Sequence, residues 1–123
     1  MPLTDHLYSV KAIVKNRKDD IGKNWSTCVA RMKTETIGMA YMQNVGLGRI
    51  ENVGLAYNLN VGTHHITNVG KVVSITAGDE LSITVGLARL KMTADGKIFI
   101  NGAQVSVDAS GPVQISGNDV DIN

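Results

Sequence analysis

NVGLAYNLNVGTHHITNVG, residues 52–70, spells Asn-Val-Gly three times at intervals of eight. Eight is neither the 3.6-residue turn of a helix nor the heptad of a coiled coil, and the positions between change almost completely. Followed outward, the glycine keeps its place. Gly22, Gly38, Gly46, Gly54, Gly62, Gly70, Gly78, Gly86 and Gly102 share one register of eight, and Ala30 and Ala94 fill its two gaps. Thirteen glycines spread over eight registers would leave one or two in each, so nine in one register is a repeat. The residue before reads Ile21, Val29, Ile37, Val45, Val53, Val61, Val69, Ala77 and Val85, then loosens to Thr93 and Asn101. The unit is therefore an apolar, mostly β-branched residue, a small residue, and six variable positions. Asn52, Asn60 and Asn68 have no counterpart in most octads and read as solvent-facing neighbours of each corner.

Composition favours strands over a thick core. Val, Ile and Thr supply 34 of the 123 residues, and only five side chains are aromatic. Twelve basic against eleven acidic residues give no field that would gather nucleic acid or an anionic membrane. The densest charge run, Lys15 to Asp20, cancels itself. No apolar stretch approaches the ~20 residues of a membrane span. Cys28 is alone, which excludes an internal disulfide framework and favours a small buried hydrophobe.

A strand that kinks at each small residue explains the beat, since glycine in a strand marks a bend or a close backbone approach. Between kinks, alternation sorts side chains onto two faces. Leu81, Ile83 and Val85 share one face, as do Val73, Ile75 and Ala77, and Tyr57, Leu59 and Val61. In the octad 47–54 the same phase turns Arg49 and Glu51 inward and Ile50 outward. Either that octad slips register or it covers a charge pair.

One apolar stripe per octad cannot bury itself. Three consecutive octads could form one coil of a single-chain solenoid, or three chains could each give one side of every layer. A solenoid predicts that every third octad is alike, whereas here the Val-Gly element recurs at each step. The expected fold is accordingly all-β, an intertwined triple-stranded β-helix (a homotrimeric β-prism or needle) built from eight-residue Val-Gly repeats. Residues 1–20 form an opening segment, 21–90 the regular octads and 91–123 a modified tip. In that tip Ile98 and Ile100, Val105 and Val107, Val113 and Ile115, and Val120 and Ile122 keep the alternation. Ala94–Lys97 and Ile100–Ala103 read as turn-like breaks, and Pro112 follows another corner.

The octads NVGLAYNLNVG and TVGLARLKMTADGKIFING, closed by ASGPVQISGNDVDIN, resemble the C-terminal portion of the valine-glycine repeat (VgrG) proteins from about Ile21 onward. The resemblance implies the trimeric spike of bacterial type VI secretion systems, related to the needles of contractile phage tails. It implies a tube protein as partner through a larger N-terminal base, which this sequence lacks, together with a tip-capping protein and secreted effectors. It also implies a bacterial cytoplasmic origin, export through the apparatus, and mechanical contact with a target-cell membrane. A phage baseplate spike, an effector-docking shaft and a single-chain adhesin are the alternatives.

The residues point to no enzyme and no cofactor. G-x-S-x-G, G-x-x-x-x-G-K and H-E-x-x-H are missing. Asp19-Asp20 and Asp79-Glu80 read as solvated corners or segment ends, and Asp119 and Asp121 as a solvated rim sharing one face. His64 and His65 are the sharper pair. Neighbours on a strand face opposite ways, so one would face the axis, where three imidazoles could hold a metal. The octad phase selects His65, and a phase set by Ile66 selects His64; a polar layer without metal is the simpler expectation. The site expected to matter is thus structural: Gly22, Gly38, Val45-Gly46, Val53-Gly54, Val61-Gly62, Val69-Gly70, Gly78, Val85-Gly86 and Gly102.

Overall fold

The computed structural model describes Ala12 and residues 15–123; expectations for the remainder of the opening segment lie outside the described residues. Among the described residues the structure is all-β, without a helix and with one three-stranded antiparallel sheet. The chain divides into two units, 1–57 and 58–123, each taken by itself.

In the first unit the chain is extended from residue 16 onward and bends at 22–23, 30–31, 38–39, 46–47 and 54–55. Each bend falls on the small residue of an octad and the residue after it. Glycine is not what makes the bend, because Ala30 bends the chain as Gly22 does. None of these glycines has a positive φ, and a Cβ added to Gly22, Gly38, Gly46 or Gly54 would meet nothing within 4 Å. Neither the backbone nor the space inside one chain calls for glycine at these corners.

The second unit begins the same way, with bends at 62–63, 70–71 and 78–79. It then folds back on itself as strands β1 (Glu80–Val85), β2 (Ala88–Thr93) and β3 (Ile98–Asn101), paired in the order β1-β2-β3. Both reversals fall on octad corners. At the first, Gly86 and Leu87 form a two-residue loop, and Gly86 has φ 54° where Leu87 is not positive. That pattern fits the type II′ hairpin turn, whose twist suits the flanking strands. The second loop holds Ala94, Asp95 and Gly96. The Gly96 amide donates to the Thr93 carbonyl at 3.0 Å and the Thr93 amide to the Lys97 carbonyl at 3.1 Å. With Gly96 at φ 87°, this is the turn-plus-bulge geometry common in three-residue hairpin loops. Beyond the sheet the beat resumes, with bends at 103, 110–111 and 118, so Gly102, Ser110 and Asn118 continue the register.

Cross-strand register divides the sheet cleanly. Leu81 faces Met92, Ile83 faces Leu90 and Val85 faces Ala88, while Met92 and Leu90 in turn face Ile98 and Ile100. Opposed residues share a face, so one side of the sheet is wholly apolar. The other carries Glu80, Ser82, Thr84, Arg89, Lys91, Thr93, Phe99 and Asn101.

Among the described residues one chain has no core. None of the described residues is buried. The accessible surface is 13663 Å², where a compact protein of this mass would expose about 6,400 Å².

Candidate self-assembly interface

Counting positions from each corner residue separates two sides of the extended octads. Offsets 3, 5 and 7 alternate with offsets 2, 4 and 6. Between Ile21 and Ile75 the large apolar side chains at offsets 3, 5 and 7 are 45% (Ile37) to 70% (Ile75) exposed and those at offsets 2, 4 and 6 are 76% (Val72) to 88% (Ile50) exposed, while Met39, Leu47 and Leu55, at offset 1 within the bends, are fully exposed. The ranges do not overlap. The side of offsets 3, 5 and 7 is therefore the more sheltered one wherever an octad has large apolar side chains on both, and it carries the repeated Val45, Val53, Val61 and Val69.

This separation decides the octad 47–54. It keeps register: Ile50 stands on the open side, and Arg49 pairs with Glu51 at 3.2 Å on the sheltered one. Residues two apart on a strand lie on one face, and the same geometry recurs elsewhere. Arg17 meets Asp19 at 2.9 Å and Lys33 meets Glu35 at 4.0 Å. The Trp25 indole N–H donates to the Thr27 hydroxyl at 2.9 Å. These pairs went unread in the sequence, where the run around Lys15–Asp20 looked merely self-cancelling. Their signal is an opposite-charge i, i+2 pair at a fixed distance from the corner. Cys28, expected to be buried, is exposed; its offset of 6 puts it on the open side.

In the second unit His65 lies at offset 3 and its Nε2 is 3.0 Å from the Thr67 hydroxyl oxygen. His64 falls on the opposite side with Ile66. Among the described residues no three His, Cys, Asp or Glu side chains of one chain gather where a metal could be held. Asp119 and Asp121 are exposed on the extended stretch after the bend at 118.

The apolar face of the sheet is itself an exposed patch. Ile83, Ile98 and Ile100 are all more than half exposed. Val105 from the following octad lines an open groove with Ile83, Val85, Leu90 and Ile100. The opposite face holds its own charges together. Glu80 Oε1 lies 3.4 Å from both Arg89 Nη2 and Lys91 Nζ. At the second hairpin the Thr93 hydroxyl donates to Asp95, and Lys97 Nζ sits 3.1 Å from the same carboxylate. Those contacts, the hydroxyl first, hold the Asp95 carboxyl below its ordinary pKa.

Among the described residues the surface offers apolar area, paired charges and extended segments with unpaired edges. No family model matches the chain, and no curated protein matches it.

Proposed function

We propose that this chain is part of a spike like that of the valine-glycine repeat proteins. Three copies form an intertwined triple-stranded β-helix, a mechanical and non-enzymatic needle that pierces a target-cell envelope. One observation carries the reading: among the described residues a chain rich in β-branched side chains buries none of them, and its octad glycines from Gly22 to Gly78 face empty space within their own chain. A small residue every eight positions has no use to a lone strand. It suits a neighbouring backbone that passes close at every corner.

Further features support three identical chains. The Val-Gly element recurs at each octad, which symmetry about one axis explains without a longer period. A single-chain solenoid of three-octad coils would need parallel ladders between octads three apart, whereas among the described residues the ladders, β1 with β2 and β2 with β3, are antiparallel and join consecutive octads. Pairing between chains would also satisfy the free edges of the extended octads, which otherwise invite aggregation. Each valine that becomes fully covered is worth about 1.5–3 kcal/mol. That gain repeats at every octad of every chain, so stiffness and slow unfolding should grow with length.

In this reading the chain has a tip-capping protein and secreted effectors as partners and meets a tube protein through an N-terminal base. It is made in the bacterial cytoplasm and exported through a type VI apparatus. The motif content supports mechanics over catalysis, since the sheltered side carries packing and ion pairs. Two measurements test the proposal. An unheated sample in dodecyl sulfate should migrate as a trimer and collapse to one chain on boiling. A tip protein should co-purify with the full chain and be lost when residues 111–123 are deleted; retention after deletion would overturn the docking assignment, and migration as a single chain without heating would overturn the spike.

A further inference from the structure

The Val-Gly repeat that makes the octads equivalent also makes them interchangeable. If one chain slides by eight residues against its neighbours, every valine still meets a valine and every corner a corner. Gly-rich strands with identical pitch specify register weakly. Something else in each octad must reject the slip.

Offsets 3 and 5 on the sheltered side vary in a regular way. At offset 3 the chain reads Arg17, Trp25, Lys33, Tyr41, Arg49, Tyr57, His65 and Val73. From Arg17 to Val73 a basic group and an apolar or aromatic one alternate, giving a period of sixteen laid over the period of eight; Leu81, Arg89 and Lys97, in the hairpin region, do not continue it. Offset 5 follows suit. Asp19, Glu35 and Glu51 accompany the cations at 2.9, 4.0 and 3.2 Å, and Thr67 lies 3.0 Å from His65. Thr27, Gln43, Leu59 and Ile75 fill the octads between. The even side offers a control. Lys18 and Asp20 also pair, at 3.5 Å, but their side chains are 84% and 82% exposed, against 52% and 40% for Arg17 and Asp19.

We propose that this alternation is a register code for self-association, which lets copies of the chain join only when charged octads meet charged octads and aromatic octads meet aromatic ones. The inference rests on the trimeric reading. In a threefold assembly the equivalents of Arg49 and Glu51 lie at one height around the axis, three charges of each sign. Each guanidinium then has carboxylates of its own chain and of a neighbour within the same layer. Covered charges are tolerated only when paired, and buried polar groups that fix register are their best-attested use. A chain displaced by one octad brings Tyr57 and Leu59 into that layer, removes one pair from the ring and strands charge beside an aromatic ring. A slip of sixteen passes this filter, but it is caught by the β1–β3 sheet, which occurs once in the chain.

The test mixes chains of different length. Tagged chains lacking residues 47–54 or residues 39–54 are each co-expressed with the untagged full chain, and mixed assemblies are counted by native mass spectrometry. Each deletion removes whole octads, so each shortened chain should still assemble with itself, which is checked first. With the sheet as common anchor, the sixteen-residue deletion keeps charged octads opposite charged ones and should mix in near-statistical proportion. The eight-residue deletion sets Tyr41 opposite Arg49 and should be excluded from mixed trimers by about tenfold or more. Introducing Trp25→Arg, Thr27→Glu, Tyr41→Arg and Gln43→Glu into both partners sets charged octads opposite charged ones throughout the shifted segment and should abolish the discrimination. Equal mixing of the two deletions, or equal exclusion, would overturn the code while leaving the trimer standing. A full chain that is monomeric when expressed alone would instead overturn the trimer itself.

Discussion

Gly62 and Gly86 hold the same place in the eight-residue beat and do opposite things. At 62–63 the chain bends and goes on; at 86–87 it reverses and pairs with itself. The contrast lies in what flanks each corner. Leu59 and Val61 before Gly62, and Val69 in the octad after it, all sit at odd offsets. Around Gly86 the apolar set moves from odd offsets, at Leu81, Ile83 and Val85, to even ones, at Ala88, Leu90 and Met92. A two-residue hairpin sets the residues flanking the loop opposite each other, so this switch keeps both strands apolar on one face. The beat thus dictates where the chain turns, and the phase on either side dictates how far. The two glycines also answer different needs. Gly86 serves its own backbone through a positive φ, whereas Gly62 has an ordinary φ and open space around it.

The strongest break in this comparison is Gly62→Val. Within one chain a Cβ added at this position meets nothing within 4 Å, so a loss of assembly points to neighbours. The expected outcome is a soluble chain that no longer forms trimers in size-exclusion chromatography; normal assembly would show that the octad corners are not approached by other chains. Next in size is Ile83→Glu, which sets three carboxylates against an apolar face. An uncompensated covered charge costs several kcal/mol, and melting followed by circular dichroism should fall steeply, while Ile83→Val should cost only about 0.5–1.5 kcal/mol.

Gly86→Ala separates the two kinds of corner more finely. Left-handed backbone costs a non-glycine residue about 1–2 kcal/mol, so this variant should lower stability by that amount per chain. Gly54→Ala should cost less, since Ala30 already occupies an equivalent corner. Reversal of that order would contradict the assignment of the two roles. The smallest effect is Asp95→Asn at the second hairpin. The native carboxyl titrates below its ordinary 3.8, so its charged form stabilises the fold at pH values above 3.8. That contribution is lost as pH falls through the lowered value. The variant should be less stable than wild type at neutral pH and equal to it in strong acid, as read from urea midpoints at the two pH values.

Much of the architecture is legible in the residues themselves. The corners lie where the glycine register says, even at Ser110 and Asn118 where the glycine is gone, because spacing and alternation are local properties of the chain. The turn at Ala94–Lys97 is equally plain from Asp95-Gly96. The reversal at Gly86 is harder to see, since TVGLARL fits the octad pattern and only the switch from Val85 to Leu90 in offset parity betrays the hairpin. Arg49 and Glu51 show the other limit. Alternation leaves open whether an octad keeps phase, and only the contrast in exposure between Ile50 and the odd-side residues decides it. The burial of Cys28 fails as an expectation for the same reason: its residue type favours an interior, but its even offset faces outward.

The central claim is that one chain is an incomplete structure and three copies complete it. Multi-angle light scattering on the full chain at micromolar concentration tests this most directly. A mass three times the 13.1 kDa of one chain, unchanged on tenfold dilution, is the predicted result. A mass of one chain, with strand content retained by circular dichroism, would contradict it.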